Sequence, residues 1–178
     1  MWNGRWLSGE VPVKRTIYFD RFRGAYWPSP GELEPFFLAP KGQEWSYRGR
    51  NDSWGMSVSA LYGTGDKPEA DQVSVSLAMI GNPELGVYLD YSKWDGRIKQ
   101  GLSYSPKGDL TRLLEFVESL HTTPLSVGLF IPFPKAWLAV KEFMETDGEL
   151  PTSIEWIADR DLPPEAFPVP APPGQRSR

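Results

Sequence analysis

The residues equipped for chemistry in this chain are few, and their spacing matches no catalytic template. The single histidine, His121, lies in Leu120-His121-Thr122-Thr123-Pro124, which reads as a surface loop. A Ser–His–Asp relay needs such a base to be positioned and tuned by partners. There is no cysteine, which removes thiol nucleophiles, iron–sulfur clusters and disulfides. Zinc sites draw on several His or Cys ligands, and this chain offers one. Asp66, Glu69 and Asp71 share a polar stretch without the spacing of a calcium-binding loop. Gly63-Thr64-Gly65-Asp66 is a turn, and no phosphate-cradling glycine motif is present. Asp90 and Glu155 fall on expected strands, and a carboxylate pair is what glycoside hydrolysis requires. Nothing in the sequence brings those two together. The reading is therefore a protein that is not an enzyme and needs no cofactor or metal.

The elements that must position any binding site are clearer. The chain has 178 residues, which fits one domain. Met56, Val58, Ala60 and Tyr62 alternate with Ser57, Ser59 and Leu61. Val73, Val75, Leu77 and Met79 alternate with Ser74, Ser76 and Ala78. Leu85 to Tyr91 and Ile98 to Tyr104 repeat the pattern. Period two places one set on each face of a strand, and the serines predict a face partly open to water. Gly63-Thr64-Gly65-Asp66, Gly81-Asn82-Pro83 and Asp95-Gly96 supply the links. The expected fold is α+β: an antiparallel β-meander with helices packed on one face.

Outside the meander, Thr16-Ile17-Tyr18-Phe19 reads as a short strand. Ser29-Pro30-Gly31-Glu32 forms a capping box for a short helix, interrupted by Pro35 and ended by Pro40. Residues 110–120 fit either a helix or a strand, and Leu125 to Ile131 reads as extended. A firmer helix follows Pro134, with Ala136, Ala139, Val140 and Phe143 on one face and Asp147-Gly148 as its stop. Ser153 to Ile157 reads as a strand. The domain spans 1–162, and 163–178 is a proline-rich irregular tail.

Composition narrows the partner. The net charge is −4, which argues against a phosphate backbone as ligand and suits a basic protein. Neither the start, Met1 to Leu7, nor any later run has the apolar length of a signal peptide or membrane span. The chain is expected to be cytoplasmic, with no membrane partner. Eight tryptophans, seven tyrosines and nine phenylalanines are more than catalysis would need and suit a core or an interface.

The last third adds a family likeness. Ala136-Trp137-Leu138-Ala139-Val140-Lys141-Glu142-Phe143 leads through Asp147-Gly148 to Leu150-Pro151, and Ser153-Ile154-Glu155-Trp156 follows. This succession resembles the closing signature of immunity-protein family one of bacterial polymorphic toxin systems. There a helix ending in a Glu-Phe pair meets a glycine turn, a proline and a strand ending in Trp. Gly81-Asn82-Pro83 with Gly86 to Tyr91, and Pro132 before the helix, also fit. The resemblance covers about residues 54 to 157. It implies a protein that binds and neutralises a cognate toxin, often a deaminase or nuclease acting on nucleic acid, by occluding its active site. In that reading Trp156 packs a strand against the helix bearing Phe143, and Gly148 permits the link. The main rival is a carbohydrate-binding or other small-ligand module with Trp and Tyr on an open sheet.

A contact surface follows from the hairpin links. Trp54 precedes the first clear strand, Trp94 and Asp95 link the third and fourth, and Asp66, Glu69 and Asp71 lie in the loop after the first. Aromatic anchors ringed by charge are what protein interfaces use. These six residues are expected to form the partner-binding surface.

Overall fold

The protein is described by a computed structural model covering residues 11–169. The Met1 to Leu7 segment and residues 170–178 of the tail lie outside the described residues. Ten strands appear in chain order: β1 (Lys14–Phe19), β2 (Phe22–Gly24), β3 (Ser53–Leu61), β4 (Val73–Asn82), β5 (Gly86–Asp95), β6 (Gln100–Pro106), β7 (Phe116–Glu118), β8 (Pro124–Ser126), β9 (Phe130–Ile131) and β10 (Trp156–Ala158). Three helices join them: α1 (Pro30–Leu33), α2 (Pro35–Leu38) and α3 (Phe133–Glu145).

The meander forms as expected. The main sheet runs β10-β6-β5-β4-β3-β1-β2, with β9 paired to the start of β5, and its pairs are antiparallel. Strands β4 and β5 pair over their whole length, from Val73↔Asp95 to Asn82↔Gly86. The long serine-alternating runs fix that register, because a one-residue slip would turn Val75, Leu77 and Met79 to water.

One face carries the core. Met56, Val58, Leu77, Met79, Leu89 and Tyr91 point to it and are buried. Helix α3 covers them with Ala136, Ala139, Val140 and Phe143, the stripe its spacing predicts. The Tyr91 ring meets Phe143 at 6.2 Å and Trp156 at 6.1 Å, so Trp156 reaches the helix through Tyr91. Short helices α1 and α2 complete the layer, with Phe37 5.3 Å from Trp137. The capping box at Ser29 and Glu32 is made.

Gly148 closes the end of α3 as the sequence implies. Its φ is +90°, and a Cβ there would stand 2.2 Å from Val75 Cγ2. Its N–H donates to Phe143 O at 2.9 Å, and its carbonyl accepts the Tyr91 hydroxyl at 2.8 Å. Only glycine serves both the left-handed backbone and the close approach.

Three segments differ from expectation. Residues 110–120 are neither one helix nor one strand: Leu110–Arg112 is a 3-10 turn, and Phe116–Glu118 pairs with β8 as a small separate hairpin. Leu125 to Ile131 is not continuously extended but holds a 3-10 turn at Val127–Leu129. The closing strand is Trp156–Ala158, later than Ser153. Ser153 N–H and Thr152 N–H both donate to the Glu142 carboxylate at 2.9 Å, so these amides are taken before any ladder forms. Those bonds hold Glu142 down at about 2, against the burial that would raise it.

Candidate partner-binding face

The other face of the sheet is only half covered. Tyr88, Leu125, Leu129, Phe130 and Leu162 form a second, smaller core there, joined by Ile80, Val117 and Ile157. The segment from Leu110 to Phe130 thus roofs one end of this face. Asp52 ties the roof down: buried at the start of the sheet, its carboxylate accepts Leu120 N–H at 2.9 Å and Ser53 Oγ at 3.0 Å.

Beyond the roof the face is open and made of short hydroxyls. Cross-strand register lines up Thr16↔Ser57, Ser57↔Ser76, Ser76↔Ser92 and Ser92↔Ser103. With Ser59, Ser74 and Trp94 they line a groove of about 510 Å³. The period-two alternation is its direct cause: the residues opposite the core set are mostly serines. A larger cleft of about 800 Å³ runs between β1 and the end of α3, lined by apolar groups such as Val13, Trp27 and Met144. It carries no chemistry-bearing cluster and borders the first described residues.

At the far end of the groove the structure brings together most of the expected contact residues. The Trp94 indole N–H donates to Ala70 O at 3.0 Å. Lys99 reaches the same carbonyl at 3.1 Å and pairs with Asp71. Gly96 N–H donates to Gln72 O at 3.0 Å, and a Cβ on Gly96 would fall 2.3 Å from the Asp71 carbonyl carbon. Glycine at 96 therefore lets the β5–β6 hairpin lie against the 66–72 loop. Asp66 and Glu69 are on that loop, and Glu69 is exposed and borders the groove. Asp95 accepts from Arg97 N, Nε and Nη2, which holds it at about 2. Trp94 itself stands on β5, not in a turn, and is 37% exposed.

Trp54 is not among them, a correction to the expected surface. It is 3% exposed, its indole donates to Ser46 O at 3.0 Å, and its ring lies 5.7 Å from Phe19. Trp54 pairs with Met79 at the start of β3, whereas Trp94 pairs with Ser74 at the end of β5. Antiparallel pairing puts those positions at opposite ends of the sheet, and side-chain parity puts them on opposite faces. Its neighbour Asp52, a charged residue two positions earlier, is buried too.

The sequence reading also missed Asp90 as part of this face. Asp90 stands on β5 between Tyr88 and Ser92, half-buried, with Ser92 Oγ donating at 3.3 Å. Asp159, just after β10, accepts Ser105 Oγ at 2.7 Å. Burial raises both carboxyls, and Asp159 raises Asp90 further by like-charge repulsion. Glu155, the partner considered for Asp90, is instead exposed and pairs with Lys107. The missed signal was the parity of Asp90 with Ser92 and Trp94. His121 is exposed, its Nε2 2.7 Å from Asn51 Oδ1.

Among the described residues there is no group of three or more metal-ligating side chains, and no helix is long and apolar enough to cross a membrane. A family model described as immunity protein Imm1 matches residues 42–158. No curated protein matches the chain, and no solved structure does.

Proposed function

This chain belongs to the Imm1 family of immunity proteins, inhibitors rather than enzymes, and from that premise we propose that it neutralises a cognate toxin acting on nucleic acid, a deaminase or nuclease, by stoichiometric occlusion of its active site. The family match carries the reading, because it spans β3 to β10 and so takes in the open face and its acidic end. The proposed contact surface is Trp94 and Asp95 with Asp66, Glu69 and Asp71. A net charge of −4 suits a toxin whose groove is basic enough to hold nucleic acid. Such a complex buries about 1,200–2,000 Å² in all, more than the hairpin end alone offers, so the serine groove beside it belongs to the same surface. The rival carbohydrate-module reading rests on Trp and Tyr rings on an open sheet, where Trp94 stands and Trp54, in the core, does not. The work is done in the toxin-producing cell's cytoplasm.

The test is co-purification of this chain with the toxin domain encoded beside it, followed by affinity measurement. Trp94→Ala is expected to weaken binding about thirtyfold, or roughly 2 kcal/mol. Asp71→Lys is expected to act on association rate and salt dependence. No complex at any concentration refutes the reading, and full affinity in both folded variants refutes the surface.

A further inference from the structure

We infer that the bare outer edge of β6, residues 100–103, takes an extended segment of the toxin as one more strand of the sheet. This rests on the immunity reading and names the form in which the partner meets the sheet. Strand lengths leave the place open. β6 runs from Gln100 to Pro106, whereas β10 pairs only with Tyr104, Ser105 and Pro106. After Ala158 the chain leaves the ladder. Asp159–Asp161 is a 3-10 turn, with Leu162 N–H donating to Asp159 O at 3.1 Å and the Asp159 carboxylate accepting Ser105 Oγ at 2.7 Å. A notch of about 250 Å³ remains, with Gln100 to Tyr104 along its side and Ala158 to Arg160 at its end.

Strand parity aims backbone groups into that notch. Along an antiparallel strand, alternate residues turn their N–H and C=O to opposite neighbours. Lys107 N–H donates to Glu155 O at 3.0 Å, so Lys107 and Ser105 face β10. Ser103 and Gly101 face the same way past its end, while Gln100 and Leu102 face β5. Among the described residues, no backbone hydrogen bond reaches the outward groups of Gly101 or Ser103. Sheets guard such edges with charge, proline, very short strands or a covering segment. The opposite edge is guarded in this way: β2 is three residues long and carries Arg23, and the Trp27 indole N–H caps Thr16 O at 2.8 Å. Residues 100–103 are Gln-Gly-Leu-Ser, without charge or proline, and all but Leu102 are exposed.

The surroundings select the occupant. A second copy meets an obstacle. Twofold pairing of identical edges is antiparallel, and the register that bonds Gly101 to Ser103 of the other copy sets Lys99 against Ser105 there, a place Ile157 already holds. A segment without a hairpin of its own enters freely. The edge is continuous with the proposed contact surface, since Gly101 pairs with Trp94 and Gln100 with Asp95. Gly101, Leu102 and Ser103 border both the notch and the serine groove, so one toxin segment can bond to the edge and reach over the open face. Its side chains must alternate. The residue opposite Leu102 lies on the core side, beside that half-buried leucine, and is apolar. Its two neighbours fall on the open side, over Gly101 and Ser103, and are polar. Main-chain bonds give such pairing its strength, and the alternating side chains give its specificity.

The inference is tested in two arms on the full chain. In the first, amide hydrogen exchange is read at single residues, with and without the toxin domain encoded beside this chain. Gly101 and Ser103 are expected to exchange fast in the free chain, Leu102 slowly, and the first two to become protected in the complex. Slow exchange at Gly101 and Ser103 in the free chain, or no protection in the complex, overturns the inference and leaves the immunity reading standing. In the second arm, affinity for the same toxin domain and thermal midpoint are measured for Ser103→Pro, Gly101→Pro and Ser103→Ala. Proline is tolerated where the N–H faces away from the ladder, so both proline variants should stay folded yet lose roughly tenfold or more in affinity. Ser103→Ala keeps the N–H and should bind as the parent does. Unfolding of both proline variants would show that these N–H groups serve β5, and overturns the inference. Full affinity in the folded proline variants, or a loss in Ser103→Ala as large as in Ser103→Pro, overturns it too. Failure of the parent chain to bind the toxin overturns the immunity reading, and this inference with it. Self-association of the parent that Ser103→Pro abolishes would assign the edge to a second copy and overturn the inference as well.

Discussion

Trp54→Ala and Trp94→Ala should separate fold from function, because the two rings stand on opposite faces of one sheet. Trp54 keeps only 3% of its surface and packs on Tyr18 at 5.2 Å and Phe19 at 5.7 Å. Truncating a buried Trp costs about 3–5 kcal/mol through lost transfer energy and the cavity left behind. It also strands the Ser46 carbonyl that accepts the indole N–H, worth about 1 kcal/mol. The expected loss is therefore about 5 kcal/mol, a large part of the roughly 5–15 kcal/mol that holds a domain together. Trp94 is 37% exposed and gives up one hydrogen bond to Ala70, so its truncation should cost about 1 kcal/mol. Urea unfolding followed by far-UV circular dichroism reads both, since eight tryptophans blur a fluorescence signal. With a slope of about 2 kcal/mol/M, the midpoint should fall by about 2.5 M for Trp54→Ala and about 0.5 M for Trp94→Ala, slopes unchanged. Equal shifts, or a larger one for Trp94→Ala, would refute the assignment of Trp54 to the core.

Other outcomes follow from single contacts. Glu142→Gln should cost roughly 1–2 kcal/mol near neutral pH, after allowance for its exposure. Because the folded pKa is lowered to about 2 from 4.5, the gap between parent and variant should be full above pH 4.5 and close as pH falls towards 2, read as paired acid-unfolding curves. Gly148→Ala should cost about 2–4 kcal/mol, from left-handed strain and from the Cβ placed 2.2 Å from Val75, measured by thermal unfolding. Asp52→Ala should release the β7–β8 hairpin, with faster amide hydrogen exchange over 116–126 than over β4 and β5.

The meander was legible because its strands alternate cleanly: Val73, Val75, Leu77 and Met79 against Ser74 and Ser76 leave one way to pair and one face to bury. Helix α3 was equally plain, from the Ala136-Ala139-Val140-Phe143 stripe and Asp147-Gly148. Residues 110–120 were not, because Leu110, Leu113 and Val117 fit either period. Their structure is set by packing on Phe130 and Leu125 and by the Asp52 bond to Leu120, contacts far away in sequence. The placing of the candidate face was half legible. Trp94, Asp95 and the acidic loop were found as neighbours because hairpin links at one end of a meander converge. Trp54 was misplaced because a Trp beside polar residues does not reveal which face it takes, and Asp52 was one of those residues. Asp90 was weighed as an acid without regard to its strand parity, which would have set it beside Ser92 and Trp94.

The strict division of each strand between a core set and a hydroxyl set bears on how such an inhibitor can change. Ser57, Ser74, Ser76, Ser92 and Ser103 can be exchanged for other side chains without touching Met56, Val75, Leu77 or Tyr91. Mutational drift on the open face is thereby uncoupled from the core, so that face can change through successive substitutions while the buried set that holds the fold is left intact.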